Sequence, residues 1–342
     1  MPTTYAIPDG RTVMAATLYT GNGGTQAVAN TTNGVQFQPD LVWVKSRSAA
    51  YSNWLNDSVR GAGTSLSSNL TDADTNYTAY FTSFATNGFN LAGGSNAFNS
   101  NGTTYVGWQW KAGGTAVSNT SGTITSQVSA NTTAGFSVVT YTGTGANATV
   151  GHGLGVAPSM VICKSRGVSD WAVYHIVTTA AGVLWLNLTN AYGVYSAAWN
   201  STAPTSSVFS VGTADATNKV STGTVAYCFA AVAGYSAFGS YTGNGSTDGP
   251  FVYLGFRPRF VLVKNTGGAS QWYLYDSSRD TYNIATNGLF PSSAQAETSI
   301  AWVDFLSNGF KVRATSTDFN GSGTTYIYAC FAENPFKYAN AR

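Results

Sequence analysis

Charge is scarce in this chain: Asp, Glu, Lys and Arg make up 9% of its 342 residues, where an ordinary soluble domain has about 25%. Sixteen basic and fourteen acidic residues leave a net +2 (16 − 14), with no run of either sign. Such a field collects neither phosphates nor an anionic bilayer, so neither nucleic-acid binding nor membrane insertion is expected. Histidine is nearly absent too. His152 and His175 are the only two, which leaves a Ser-His-Asp triad or a multi-His metal centre without material. Cys163, Cys228 and Cys330 are an odd, sparse set inside apolar runs and read as reduced core thiols rather than a disulfide frame. Met1–Gly10 has no basic and apolar leader, and no stretch reaches the ~18 apolar residues of a membrane span, so synthesis in a cytoplasm is expected. No phosphate-binding loop occurs, and no cofactor is expected.

Apolar material is abundant: 43% of residues are hydrophobic and 14% aromatic, so the chain folds. Its surface must then be dressed with Ser, Thr, Asn and Gly. The apolar runs are short, rich in Val, Tyr, Phe, Trp and Thr, and divided by Gly, Asn and Ser clusters, with no sustained helical spacing. The class is all-β.

A threefold internal repeat organises the sequence. The opening phrase is Tyr19-Thr20-Gly21, then Tyr141-Thr142-Gly143, then Tyr241-Thr242-Gly243. Next comes Pro, a variable residue, four apolar residues and Lys: Pro39 to Lys45, Pro158 to Lys164 and Pro258 to Lys264. A Trp follows each Lys, as Trp54, Trp171 and Trp272, and the closing strands begin at Val106, Val225 and Ile327. We therefore expect three tandem homologous β-sandwich units, jelly-roll-like, at 12–112, 134–233 and 234–336, each closing its own interior. Residues 1–11 form an N-terminal arm, 113–133 a Ser/Thr/Gly linker or added edge hairpin, and 337–342 a tail. Asn-Gly pairs such as Asn22-Gly23, Asn87-Gly88 and Asn320-Gly321 read as hairpin turns.

Recurrent polar residues supply the candidate site. An acidic-basic phrase follows the Trp in two copies, Asp57 with Arg60 and Asp276 with Arg279, while His175 stands where Asp276 falls, since 175 − 171 and 276 − 272 both equal 4. One reading is a polar ligand site of Lys45, Asp57 and Arg60 with Lys264, Asp276 and Arg279, beside Trp54, Trp171 and Trp272 as platforms for a sugar's apolar face. The other, which we favour, makes the charges structural ion pairs and the Trp residues core plugs, because recurrence follows packing as readily as function. Trp199 and Tyr253 are then the better contacts, and the stretch Tyr192–Tyr195 adds more. His152, between glycines, reads as a solvent-facing loop residue. Asp72-Ala73-Asp74 resembles half of a calcium loop but lacks its Gly and terminal Glu, and reads as a solvated turn. The best carboxylate pairs for a glycosidase would be Asp276 with Asp280 or Asp304 with Asp318. Catalysis is not expected, because an enzyme tends to break symmetry with one special unit whereas the shared landmarks here are aromatic, Gly and strand-forming.

The phrases Gln38 to Arg47, Asp57 to Gly61, Ser83 to Phe89 and Asn101 to Gly114 resemble the repeat modules of tailed-bacteriophage virion proteins, marine and cyanobacterial phages especially, of tail-fibre-like or lectin-like kind. The resemblance is good in the first and third units and degenerate in the second. It implies a non-enzymatic protein of the virion surface, a compact tail-fibre tip, adhesin or knob that binds host surface polysaccharide, with capsid decoration and glycan depolymerisation as alternatives. Its partners would be other tail or capsid proteins and further copies of itself, a trimer being the usual state of such knobs. Residues 1–12 or the C-terminal tail would make the attachment.

Overall fold

A computed structural model describes residues 5–335. Those residues form antiparallel strands, joined by single-turn helices at Ser196–Trp199, Asp215–Asn218 and Thr317–Asn320 and a 3-10 turn at Gly10–Thr12. One ladder occurs three times. An opening strand (Met14–Thr20, Phe136–Thr142 or Ser236–Thr242) pairs with a closing strand (Thr104–Trp110, Gly223–Phe229 or Thr325–Pro335). The closing strand pairs with an inner strand (Leu41–Ser46, Met160–Ser165 or Phe256–Asn265), which pairs with a return strand (Trp54–Asp57, Trp171–His175 or Trp272–Asp276). Register sets Trp43 opposite Trp108, Ile162 opposite Tyr227 and Leu262 opposite Ala329.

Inner strands are apolar on both faces and buried along their whole length, as strands covered from two sides must be. Val42 and Val44 of the first unit face outward into a core closed by the small sheet of Gln26–Ala29, Gly88–Leu91 and Phe81–Ala85. Leu41 and Trp43 face inward. There they meet Met160, Ile162, Phe260 and Leu262 in one interior. The expectation that each unit closes its own interior is thus corrected: the outer face of each sheet has a private cover, but the inner faces cover one another. Each inner strand has two faces to bury, and the cover on one face leaves the other to be buried against the neighbouring units. An apolar void of about 20 Å³ remains where the sheets meet, lined by Trp43, Ile162, Leu262 and Ala329 among others. That is roughly the room one water needs, in walls with nothing to bond it.

The opening phrase has a packing role. Asn99, Asn218 and Asn320 are fully buried, and each side-chain oxygen accepts the backbone N–H of the residue after Tyr-Thr-Gly, at 2.9, 2.7 and 2.9 Å. Their amide nitrogens donate to carbonyls on either side, as Asn320 does to Ser246 and Ala314 at 2.8 and 2.7 Å. The Tyr hydroxyl of the phrase donates to the carbonyl of the residue immediately before that Asn: Tyr19 to Phe98, Tyr141 to Thr217 and Tyr241 to Phe319. Gly is required because a Cβ at Gly143 would lie 2.2 Å from the Lys219 carbonyl oxygen. Asn320-Gly321 is therefore a buried clamp and not a left-handed hairpin turn, Gly321 having φ −59°.

Residues 113–133 are not a free linker. Val117–Asn119 and Ser126–Asn131 extend the second ladder as an edge hairpin. The N-terminal arm is likewise engaged: Ile7 is buried in the central core, and Gly10 lies so close to Ala332 that a Cβ would come within 2.5 Å of its carbonyl oxygen. Attachment through residues 5–12 would have to break that packing. Residues 1–4 and the tail at 337–342 lie outside the described residues.

Candidate functional site

Register decides which recurrent residues correspond. Asp57, His175 and Asp276, the last residues of the return strands, lie opposite Leu41, Met160 and Phe260. Counting back from them, Trp171 and Trp272 align with Asn53, and Trp54 is one residue out. A shift of one along a strand turns a side chain to the other face. Trp54 accordingly joins the outer core, its ring edge-on to Tyr77 at 4.9 Å, while Trp171 and Trp272 reach the neighbouring unit. The Trp171 Nε1–H donates to the Ser67 carbonyl and the Trp272 Nε1–H to that of Trp185, both at 2.8 Å. Asn53 does the same for the third junction, donating to Ser293 at 2.9 Å.

Return-strand ends close the ring of units in the other direction. Asp57 accepts from Arg60 Nε at 2.6 Å and from the Tyr227 hydroxyl, on the second closing strand, at 2.8 Å. Asp276 accepts from Arg279 Nε at 2.6 Å and from Trp108 Nε1, on the first closing strand, at 3.0 Å. The third closing strand carries Ala329 at that register position and offers no side-chain donor. A carboxylate facing it would be left unpaired in a dry interior. His175 stands there instead, with Nε2 3.1 Å from the Tyr328 carbonyl and Nδ1 accepting the Val177 N–H at 3.3 Å. Burial pushes His175 down to about 4, and the carbonyl bond only partly offsets this. The unit that lacks the Asp thus faces the unit that lacks the donor.

Two charge bridges add to these contacts. Asp74 bridges Arg60, at 2.9 Å, to Arg166 of the second unit, and Glu297 bridges Arg279, at 3.0 Å, to Arg47 of the first, at 2.8 Å. Burial alone would lower the Arg60 pKa, but Asp57, Tyr227 and Asp74 outweigh it and hold it above its ordinary value. Asp74 is thus no solvated turn residue. Lys45, Lys164 and Lys264 are fully buried among carbonyls: Lys45 donates to Tyr51 and Ala294, and Lys264 to Thr189 and Ser270. Burial lowers Lys45 to about 7 and both others to about 8.

Lys45, Lys264, Asp57, Asp276, Arg60, Arg279, Trp54, Trp171 and Trp272 therefore all sit inside, their side chains at or near zero exposure. They hold the sheets to one another, and the fold leaves no side of them for a sugar to meet. His152 is also corrected from loop surface to interior, its Nε2 3.1 Å from the Thr205 carbonyl. Trp199 is a core residue, whereas Tyr253 is 61% exposed. It stands beside exposed Phe251 on an outer strand whose counterparts carry Ala27 and Ala29 or Thr149 and Gly151. The carboxylates considered for glycoside chemistry are engaged separately, Asp280 by backbone N–H groups of Thr286 and Asn287, Asp304 by Arg313 and Asp318 by Tyr273.

One cleft breaks the repeat. Trp54, Tyr77 and Phe98 seal the outer core of the first unit, the last two 5.5 Å apart. Tyr273, Trp302 and Phe319 seal the third, at 5.0 and 5.6 Å. At the register positions of the first seal the second unit has Ala172, Tyr195 and Thr217. Two rings are gone, and Tyr195 leans on Trp185 at 5.9 Å with 42% of its surface open. Beside them lies a cleft of about 190 Å³, with Val168, Asp170 and Asp215 on its walls. Asp170 accepts from Asn187 at 2.7 Å, and Asp215 sits 3.5 Å from Lys219. Two aromatic faces beside carboxylates can stack on a ring and accept hydrogen bonds from hydroxyl or ammonium groups. The stretch Tyr192–Tyr195 marked half of this site in the sequence. Trp185 gave no signal, because only the fold brings it to Tyr195.

No curated protein and no solved structure matches this chain. One family, described as a domain of unknown function (DUF7483), matches residues 9–335, across all three ladders and the hairpin between them. This chain belongs to that DUF7483 family.

Proposed function

We propose that this chain is a non-enzymatic surface protein of a tailed-bacteriophage virion and that it holds host surface polysaccharide in the cleft of Trp185 and Tyr195. The observation that carries the binding part is the pair Trp185 and Tyr195 on the wall of a cleft in the second unit: Ala172 and Thr217, which stand where the other units have sealing rings, are themselves buried, Thr217 donating to the Ala198 carbonyl, and Tyr195 is left 42% exposed against Trp185. The virion part rests on the resemblance of the repeat phrases. A chain with only 9% charged residues, six of them drawn into carboxylate-arginine bridges around Arg60 and Arg279, presents an exterior rich in hydroxyl and amide groups, which can hydrogen-bond a polysaccharide. Attachment to tail or capsid proteins, and assembly of several copies, belong to the same reading.

Incubating the purified chain with host surface polysaccharide tests it. Retention of polymer at undiminished mass is the expected result, weakened at least tenfold by Trp185→Ala and unchanged by Tyr253→Ala. A falling polymer mass would replace this reading with depolymerisation, and absence of retention together with labelling on the capsid lattice would replace it with decoration.

A further inference from the structure

We propose that the group seated in this cleft is an ammonium carried on a sugar, as in an amino sugar with a free amine, and not a neutral or acidic ring. The inference rests on the binding reading above and names the ligand class within it. A stacking platform alone tolerates any sugar, since every pyranose has an apolar face. The walls here add two carboxylates, Asp170 and Asp215, and among the described residues no Lys or Arg lines the cleft. An anionic sugar would meet two carboxylates, of which only Asp215 has Lys219 beside it in an ion pair, whereas a cation gains from the carboxylates and from the faces of Trp185 and Tyr195 together. Lys219, 3.5 Å from Asp215, meets part of that carboxylate's charge. One Asp170 oxygen is taken by the Asn187 amide at 2.7 Å, which orients the carboxylate. Asp215 is 67% exposed at its side chain, so its attraction for a ligand cation is screened by salt.

Nothing equivalent exists in the other units. At the register position of Trp185 they have buried Ser67 and Phe290, and Phe290 packs on Tyr273 at 5.4 Å. The site is a property of the second unit alone, the copy whose repeat phrases are most degenerate.

The test is a titration of the full chain, followed by tryptophan fluorescence and calorimetry, with a fully deacetylated glucosamine oligomer and with its N-acetylated counterpart of equal length. At a pH where the free amine is protonated and at low salt, the deacetylated oligomer is expected to bind at least tenfold more tightly. That preference should shrink several-fold between 50 and 500 mM salt, a range spanning Debye lengths of roughly 14 to 4 Å. The double variant Asp170→Asn, Asp215→Asn should lose the preference and keep weak binding of both oligomers, and Tyr195→Ala should weaken both. Equal affinity for the two oligomers, or a preference that survives the double variant, overturns the ammonium inference while leaving polysaccharide binding standing. Loss of all binding, to these oligomers and to host polysaccharide alike, overturns both.

Discussion

Replacing His175 by the aspartate its repeat position would predict is the sharpest test of how the units close. The other two copies use Asp57 and Asp276, but each of those meets a donor on the next closing strand and an Arg three residues on. At position 175 the facing residue is Ala329 and the residue three on is Thr178. His175→Asp therefore removes a hydrogen bond to the Tyr328 carbonyl, worth about 0.5–1.5 kcal/mol, and leaves a buried carboxylate without a partner, which costs about 3–5 kcal/mol. The sum is a large part of a typical domain's stability, about 5–15 kcal/mol. Acid should narrow the gap from both sides. The unpaired aspartate has a raised folded pKa, so the variant regains stability as the pH falls and the group protonates. In the native chain burial lowers His175 from 6.5 to about 4. The unfolded chain then takes up the proton first, and stability complete above about 6.5 is lost as pH falls toward 4, by about 3 kcal/mol. Urea unfolding at pH 7.5, 6 and 4.5, with His175→Asn as a neutral control, measures all of this. A His175→Asp chain within about 1 kcal/mol of native at pH 7.5, or a gap that does not shrink in acid, would refute the closure argument.

Other consequences follow from the same contacts. Tyr227→Phe deletes the hydroxyl that serves both Asp57 and Arg60, and should lower unfolding free energy by about 1.5–3 kcal/mol in denaturant titrations. Asn320→Ala strips a buried amide from the Asn244 N–H and the Ser246 and Ala314 carbonyls, and a loss of about 2–4 kcal/mol is expected, visible as an earlier thermal midpoint. Because burial depresses Lys45 to about 7 and Lys164 and Lys264 to about 8 from 10.5, the unfolded chain binds more protons between those values. Stability should rise from pH 7 toward 10, then fall as unfolded tyrosines ionise while Tyr19 and Tyr141, raised by burial, cannot. A denaturation midpoint flat across pH 7 to 10 would contradict it.

Much of the architecture was legible in the chain. The class is written in the short β-rich runs, and Pro39–Lys45 with its two counterparts marks strands apolar on both faces, which is where the inner strands run. The preference for structural ion pairs over a ligand site at Asp57–Arg60 and Asp276–Arg279 agrees with their zero exposure. Spacing misled at Trp54. It recurs by eye with Trp171 and Trp272, yet the register sets Asn53 in their place, because strand geometry counts from hydrogen-bonded partners and not from the nearest Trp. His152 looked like loop surface because its glycine neighbours speak only of backbone freedom.

Composition and local pattern are sufficient for what depends on neighbours along the chain: which segments extend, which faces are apolar, where glycine must stand beside a carbonyl. Tertiary packing alone settled what depends on partners a hundred residues away. It set the shared interior, where Trp43, Ile162 and Leu262 line one void, and it matched His175 to Ala329. It also opened the cleft at Trp185 and Tyr195. Each of those is a pairing of surfaces, and a side chain's value there is fixed by what the opposing strand offers or omits.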